Sequence, residues 1–190
     1  AARVDRLAVT ADGVSVQIRG VDAPVRARVC VLACGANYRF NRQLGLGVPR
    51  AFVQTAQVET PFPTLPRIDI RLGRELAPGG FAWAVLGPVK RTVADRVVAV
   101  GDAAGLVKPT TGGGIYYSIL SGALAADGVD QGLRRDALSE RDLRVCEEAW
   151  RSRLGPDIRA GLAFRALATR IGDRGIQALI EVARVDGIMP

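Results

Sequence analysis

The sequence predicts an α/β fold, and three observations support this class. Residues 97–100 form a run of apolar, mostly β-branched side chains that is typical of a strand buried in a sheet. Gly101-Asp102, a stretch of small residues and three consecutive glycines follow, and then an apolar segment with the length of a core helix. The last third of the chain spaces its apolar residues as helices do. A strand that leads into a glycine-rich helix start is where doubly wound sheets hold nucleotide-type cofactors.

The N-terminal segment predicts a hairpin followed by a third strand. Residues 7–10 and 14–19 flank Ala11-Asp12-Gly13, which is a turn signal. Residues 25–33 predict the third strand, and its uninterrupted apolar run indicates burial on both faces. A short helix is expected over residues 37–46.

The middle of the chain combines a different kind of sheet with the glycine-rich segment. Residues 51–85 alternate apolar and polar side chains between prolines, which predicts the sheet of a second domain. Residues 96–100 predict another buried strand. A helix is expected over residues 112–126, with Thr110 or Thr111 as its N-terminal cap.

The C-terminal segment predicts a series of helices. Residues 139–142, Ser-Glu-Arg-Asp, resemble a capping box, after which apolar residues follow at helical spacing up to Leu154. Gly155-Pro156 is expected to end this helix and to start a second one, because proline lacks the N–H that a helix interior needs. A third helix is expected over residues 176–183.

The composition limits the classes of function. The 190 residues carry a net charge of +7 from 26 basic and 19 acidic residues, and most of the basic residues are arginines. The excess is spread along the chain, so it indicates either ordinary solvated charge or attraction to a diphosphate, a phospholipid head group or an anionic membrane surface. The sequence contains no motif of a nucleic-acid-binding protein, so nucleic acid is not expected as a partner.

Histidine and cysteine usage narrow the chemistry further. The sequence has no histidine, which excludes a His-based triad, a His-ligated zinc site and imidazole acid–base catalysis; no metal site is expected. Cys30 and Cys34 would lie on one face of a strand, too far apart for a disulfide bond. We expect all three cysteines to be small buried hydrophobes in a reducing compartment. With no signal-peptide pattern, the expected location is the cytoplasm, with peripheral membrane contact as a further option.

Four segments resemble the geranylgeranyl reductase family of flavoproteins. The segment GDAAG at residues 101–105, with Pro109 and TGGGI at residues 111–115, resembles the family's second FAD-contacting motif. Residues 29–46 resemble the family's strand with an ATGA-like turn, with Cys34 where threonine is commoner. Residues 71–85 resemble a substrate-domain motif, and residues 146–167 resemble the helical tail.

The resemblance implies the C-terminal part of a Rossmann-like FAD-binding fold, with a partial antiparallel substrate-domain sheet and a helical tail. Residues 1–50 and 86–128 would form the FAD-binding domain, residues 51–85 the substrate-domain sheet and residues 129–190 the helical region. The family's first motif, a strand followed by GxGxxG and a helix, is absent. Residues 79–85 also run directly into residues 86–96, where the family carries a longer substrate domain. We therefore expect an internally shortened C-terminal portion of such an enzyme, inactive on its own.

Asp102 and the glycines carry the predicted cofactor site. A carboxylate at the end of an apolar strand is desolvated unless donors reach it, and ribityl or ribose hydroxyls would be such donors; a helix cap or a partner for a nearby arginine is the alternative role. The three glycines allow the backbone to approach a flat ring or a phosphate, and the helix that they open offers partial positive charge; a flexible loop is the alternative. Together with the neighbours that the resemblance implies, the predicted cofactor-binding residues are Gly35, Ala36, Gly101, Asp102, Ala103, Gly105, Pro109, Gly112, Gly113, Gly114 and Ile115.

Candidates for substrate binding and proton transfer are fewer. Phe81 and Trp83 share one face of a predicted strand, and the resemblance implies that they line the path of an isoprenoid chain; ordinary sheet core is the alternative. Lys108, Tyr116 and Tyr117 are weak candidates for a catalytic proton donor. Solvated charge for the lysine and core packing for the tyrosines are the alternatives.

The resemblance implies an FAD-dependent oxidoreductase that reduces carbon–carbon double bonds of an isoprenoid, geranylgeranyl-type substrate, with NADPH or ferredoxin as the external electron donor. An FAD-dependent monooxygenase shares the Gly-Asp strand and the glycine-rich helix start, and is the alternative enzyme. A non-catalytic remnant that serves as a folding or binding module is the alternative outside the enzymes.

Overall fold

Two small sheets and two long C-terminal helices form the part of the protein that the computed structural model describes, residues 2–49 and 88–185. The predicted α/β class is confirmed at this level. The predicted antiparallel sheet over residues 51–85 lies outside the described residues. None of the described helices is both long enough and apolar enough to cross a membrane.

The first sheet is an antiparallel meander of β1 (Val4–Thr10), β2 (Gly13–Ile18) and β3 (Val25–Ala27). Thr10 pairs with Gly13 across a two-residue turn, which confirms the predicted hairpin. Gly13 lies so close to β3 that an added Cβ would stand 2.6 Å from the carbonyl oxygen of Ala27, so the packing of these strands requires glycine there.

The second sheet has the order β4 (Cys30–Leu32), β6 (Val97–Ala99), β5 (Val93–Ala94). β4 runs parallel to β6, and β5 runs antiparallel to it. The side chains of Val97, Val98 and Ala99 are at most 2% exposed. The predicted buried strand is therefore confirmed as the central strand of this sheet.

The single strand predicted over residues 25–33 is wrong, because the chain changes sheet within it. β3 pairs with β2, whereas β4 pairs with β6. Between them, Arg28 donates hydrogen bonds to the carbonyl oxygen of Leu133 and to the carboxylate of Asp136, contacts that no local pattern reveals. The expected burial on both faces is also wrong, since Val25 and Val31 are 49% and 47% exposed.

Three helices accompany the sheets: α1 (Arg39–Gln43), α2 (Ile115–Arg135) and α3 (Glu140–Val185). α1 confirms the short helix predicted over residues 37–46. α2 begins later than predicted and has Gly114 as its N-cap with no side-chain hydrogen bond, so neither Thr110 nor Thr111 caps it. The capping box that starts α3 is confirmed, because the Asp142 N–H donates to Ser139 Oγ (3.3 Å) and the Ser139 N–H donates to Asp142 Oδ2 (3.1 Å).

α3 is one helix of 46 residues, so the predicted break at Gly155-Pro156 is wrong. Proline inside a helix loses one backbone hydrogen bond, and its ring also crowds the preceding residue. Leu154 and Ile158 are buried on either side of Pro156 and hold both halves of the helix against the core. Gly155 has no Cβ to meet the proline ring, which removes part of the steric conflict.

A polar cluster inside the core ties α3 to the β5 end of the second sheet. The Trp150 indole N–H donates to Thr92 Oγ1 (3.0 Å). Glu147 Oε2 accepts from the Thr92 N–H (2.6 Å) and from its hydroxyl (2.8 Å). Burial alone would raise the pKa of Glu147, but these bonds and Arg151 hold it below its usual range. The carboxylate thus stays ionised where it fixes the helix.

The cysteines are all free thiols, and their burial differs. Cys146 is buried between α2 and α3, Cys30 is half-buried and Cys34 is exposed. The expectation that all three are buried is therefore wrong for Cys34. Burial raises the pKa of the Cys30 and Cys146 thiols, which keeps both protonated.

The continuity of α3 can be tested at residues 155 and 156. Pro156→Ala should raise the free energy of unfolding by up to about 3 kcal/mol, because it restores the missing helical hydrogen bond. Gly155→Ala should not stabilise the wild-type chain, since proline crowds a Cβ on the preceding helical residue and this Cβ would also stand 3.1 Å from Arg159 Nη1. In the Pro156→Ala background the same change should add about 1 kcal/mol. Chemical denaturation of the two single variants and the double variant measures all three values. A Pro156→Ala variant less stable than the wild type would contradict a continuous helix.

Candidate functional site

The candidate site lies where the parallel strands β4 and β6 end side by side. After β6 the chain forms a short 3-10 turn, Gly101–Ala104, and after β4 it runs through Gly35 and Ala36 to α1. Because the carboxyl ends of parallel strands meet at one edge of a sheet, these two segments are neighbours. Gly35 adopts φ 64° and Gly101 φ 55°, conformations that favour glycine.

Two side chains from the β4 segment hold the 3-10 turn in place. The Tyr38 hydroxyl donates to the carbonyl oxygen of Asp102 (2.7 Å), and Asn41 Nδ2 donates to that of Ala103 (2.8 Å). Burial, together with the nearby charges of Asp102 and Cys34, raises the pKa of Tyr38 to about 12, so the phenol keeps its donor proton. Neither residue was among the predicted site residues. The sequence indicates them only by their position shortly after Gly35-Ala36 and by their separation of three residues.

The carboxylate of Asp102 faces the start of α2. Its Oδ1 is buried and has no hydrogen-bond partner. A Cβ added to Gly114 would stand 2.6 Å from this oxygen, so the helix start and the carboxylate are in direct contact only because residue 114 is glycine. The predicted proximity of Asp102 to the helix start is thus found. Neither alternative role is seen, because among the described residues Asp102 forms no ion pair and no cap hydrogen bond.

The glycine loop before α2 has a defined conformation. The Gly112 N–H donates to the carbonyl oxygen of Lys108 (2.8 Å), and the Lys108 N–H donates to that of Gly113 (3.1 Å). Gly112 has φ 70°. A Cβ on Gly113 would meet only Thr111 Oγ1, at 3.5 Å, so the space above this glycine is open. The uncapped N–H groups of the first helical turn carry partial positive charge toward the same region.

α2 also closes over the 3-10 turn. The Gly101 N–H donates to Ser121 Oγ (3.0 Å), and a Cβ on Gly101 would lie 2.5 Å from Ser118 Oγ. Both serines were missed in the sequence analysis, because they lie within an apolar helix pattern that suggests nothing but packing.

α3 supports the glycine loop from below. Pro109 is fully buried, and a Cβ on Gly161 of α3 would stand 3.2 Å from the Pro109 ring. Gly161 therefore sets how closely the long helix approaches the loop. Gly161 was not among the predicted site residues, since a glycine inside a helical pattern gives no indication of its partner.

The remaining predicted residues divide by exposure. Ala103 and Gly105 are buried in the core and can reach a ligand only through their backbone. Ile115 is 80% exposed and Tyr116 56% exposed at the helix start. The others lie as follows: Ala36 and the Lys108 side chain are exposed, Tyr117 is buried, and Phe81 and Trp83 are outside the described residues.

The arrangement suits a ligand with hydroxyl donors and an electron-rich or anionic part. Asp102 Oδ1 can accept a hydroxyl proton, and the helix start can stabilise negative charge. No group of His, Cys, Asp or Glu among the described residues could hold a metal ion. A cavity of 510 Å³ occurs at the far side, beside Asp95, Arg96 and Ser139, and contains none of the predicted site residues.

Comparisons of sequence relate the chain to archaeal lipid reductases. No family model matches it. Digeranylgeranylglycerophospholipid reductase 2 of Methanothermobacter thermautotrophicus is 36% identical over 103 residues, which cover 52% of this chain and 26% of that protein. The digeranylgeranylglycerophospholipid reductase of Methanocaldococcus jannaschii is 32% identical over 106 residues, or 55% and 27%. That of Methanosphaerula palustris is 26% identical over 227 residues, or 88% and 56%. The chain thus spans about a quarter of the first two relatives and about half of the third.

A comparison of structures agrees. A geranylgeranyl bacteriochlorophyll reductase-like protein from Thermoplasma acidophilum matches with a TM-score of 0.71 over 95% of this chain and 61% of that protein, at 18% identity. The match shows a shared fold. The resemblance predicted from the sequence is confirmed: over part of their length, the chain is a distant homologue of the digeranylgeranylglycerophospholipid reductases, and it has the fold of a geranylgeranyl reductase-like protein.

Proposed function

We propose that this chain forms part of the FAD site of a reductase that saturates carbon–carbon double bonds of an isoprenoid lipid. The observation that carries the proposal is the buried, unpartnered Oδ1 of Asp102 in contact with the uncapped start of α2. A buried carboxylate oxygen without a donor is unfavourable, so a ligand that brings a hydroxyl to it gains free energy on binding.

The residues present fit FAD. Asp102 would accept from a ribityl or ribose hydroxyl. The glycine loop over residues 112–114 would lie against the flat ring or the diphosphate, with open space above Gly113. Gly35 and Ala36, at the end of β4, would border the cofactor from the neighbouring strand. In this proposal residues 1–50 and 86–128 form the cofactor domain, residues 51–85 the substrate sheet and residues 129–190 the supporting helices.

Each part of the site has a distinct task. Bound FAD would supply the hydride that reduces an alkene. Asp102 orients the cofactor, the start of α2 stabilises negative charge near it, and Tyr38 and Asn41 fix the turn that carries Asp102. Tyr117 packs in the core, where burial raises its pKa, so we assign it to packing. Tyr116 and Lys108 retain accessible side chains beside the loop and are the candidates for donating a proton.

The proposed substrate class comes from the relatives. Their names specify a digeranylgeranylglycerophospholipid, which joins isoprenoid chains to a charged head group. An apolar pocket beside the flavin would suit such chains, and Phe81 and Trp83 remain the predicted lining.

Asp102 provides the first test of the cofactor proposal. Asp102→Ala should weaken FAD binding by about 10- to 100-fold, the value of a hydrogen bond to a charged group. Quenching of flavin fluorescence on titration into the protein measures the affinity. The stability of the flavin-free protein should not fall, because Oδ1 has no partner to lose.

Asp130→Asn is the matched control, since this exposed carboxylate on α2 pairs only with Arg134 one turn away. It should leave FAD binding unchanged. Equal affinities of the wild type and Asp102→Ala would contradict the role of Asp102.

Three glycines provide a second test. Gly114→Ala should lower both stability and FAD affinity, because its Cβ would overlap Asp102. Gly113→Ala should leave stability unchanged and lower FAD affinity, since its Cβ enters only the space proposed for the cofactor. Gly122→Ala, on α2 with nothing within 4 Å, should stabilise by about 1 kcal/mol and leave FAD affinity unchanged. Thermal unfolding and flavin titration of the three variants distinguish these patterns. An unchanged FAD affinity of the Gly113→Ala variant would contradict the proposal that the cofactor lies against this loop.

The reaction can be tested in a chimera. In the chimera, the corresponding segment of this chain replaces the aligned segment of the Methanothermobacter thermautotrophicus reductase. One form of the chimera keeps Asp102, and the other carries Asp102→Ala. Under anaerobic conditions with dithionite and a geranylgeranyl glycerophospholipid, the chimera should add hydrogen to the lipid in pairs, as mass spectrometry detects. The Asp102→Ala form should do so at least about tenfold more slowly. Oxygen incorporated under aerobic conditions would favour the monooxygenase, and a flavin-free folded chimera would favour a non-catalytic module.

A further inference from the structure

The distal part of α3 presents a second apolar face. Leu162 still packs partly against the core. Phe164, Leu167 and Ile171 are instead 61%, 56% and 37% exposed. Because a helix turns about 100° per residue, these three side chains form one stripe on the side opposite Leu162. Three large apolar side chains in a row are not needed for a solvated helix face.

Positive charge borders this stripe along one edge. Arg170 and Arg174, one turn apart, run along this edge. Residues 159–174 contain four arginines and one aspartate. Within the described part of the chain, Arg170 and Arg174 form no ion pair, whereas Arg151 earlier in the same helix pairs with an acid one turn away. The side chains of Arg170 and Arg174 are exposed, so an external anion can reach them.

We propose that residues 159–174 of α3 form the surface through which the protein docks on an anionic lipid bilayer. Phe164, Leu167 and Ile171 enter the boundary between head groups and acyl chains, and the flanking arginines contact lipid phosphates. An apolar stripe edged by arginine is the composition with which amphipathic helices lie in a membrane interface. Each arginine near an anionic surface strengthens binding about fivefold.

The charges favour a bilayer over a second copy of the chain. In a symmetric dimer the same patch meets itself, so the arginine rows of two copies would face each other. Like charges in contact oppose such a pairing. In an anionic bilayer the lipid phosphates complement the arginines, and the boundary with the acyl chains accommodates the apolar stripe. This inference goes beyond the proposed function and stands on this surface alone, although a reductase of a membrane lipid would profit from it.

Flotation with lipid vesicles tests the proposal. The wild-type protein should bind vesicles made from an equal mixture of phosphatidylglycerol and phosphatidylcholine. High salt should release it, because salt screens the attraction between the arginines and the lipid phosphates. Arg170→Gln/Arg174→Gln should lower binding by about 30-fold. Leu167→Gln/Ile171→Gln should lower it by at least about tenfold, since the apolar contact is lost. All substituted residues are exposed, so the variants should fold as the wild type does.

Matched controls lie on the same helix. Arg141→Gln/Arg144→Gln removes the same charge near the start of α3, and Val145→Gln replaces a side chain that is 45% exposed there. Both should bind vesicles like the wild type. A wild type that fails to bind, or stripe variants that bind equally well, would overturn the proposal. So would a dimer in sedimentation that Leu167→Gln/Ile171→Gln abolishes. The vesicles contain neither isoprenoid nor flavin, so this result is independent of the FAD titrations.

Discussion

Three residues of β4 pair in parallel with three of β6, and this pairing brings together two segments that lie more than 60 residues apart in the chain. The Val100 N–H continues the ladder by donating to the carbonyl oxygen of Leu32. Everything at the candidate site follows from this alignment, because it places the residues after β4 against the turn after β6. Tyr38 and Asn41 can reach the carbonyl groups of the turn only in this register. The orientation of Asp102 is thus a property of the sheet as well as of its own strand.

Besides the pairing of β4 with β6, the candidate site requires backbone segments to approach each other closely. Side chains at these positions would prevent that approach. Gly114 meets a carboxylate, Gly101 meets Ser118, and Gly161 meets the Pro109 ring. In each case the absent Cβ sets the distance between two elements, so the site is built from the meeting of α2, α3 and the 3-10 turn. A site of this kind depends on backbone geometry to a greater extent than on any set of catalytic side chains, which agrees with the proposal that a cofactor would carry the chemistry.

The sequence predicted the features that depend on neighbours in the chain. The β1–β2 hairpin, the β6 strand with its following helix and the capping box of Ser139 and Asp142 all arise from short-range patterns. The proximity of Asp102 to Gly114 could be predicted because a strand that ends in an acid before glycines is a local signal. The features that were missed depend on distant contacts. The division of residues 25–33 between two sheets depends on Arg28 reaching Asp136, and α3 passes through Pro156 because Leu154 and Ile158 are buried around it. Gly161 could not be recognised without knowing that it packs against Pro109.

The continuity of α3 has a mechanical consequence. A helix of 46 residues is up to about 69 Å long, and α3 is continuous from the end that contacts the sheet to the end that carries the arginine-bordered stripe. Gly161, which touches the glycine loop, lies less than one turn from Phe164. A surface that binds the stripe therefore also fixes the orientation of the sheet edge at which β4 and β6 end. The helix would then set the direction from which molecules in the bound surface reach this edge of the sheet.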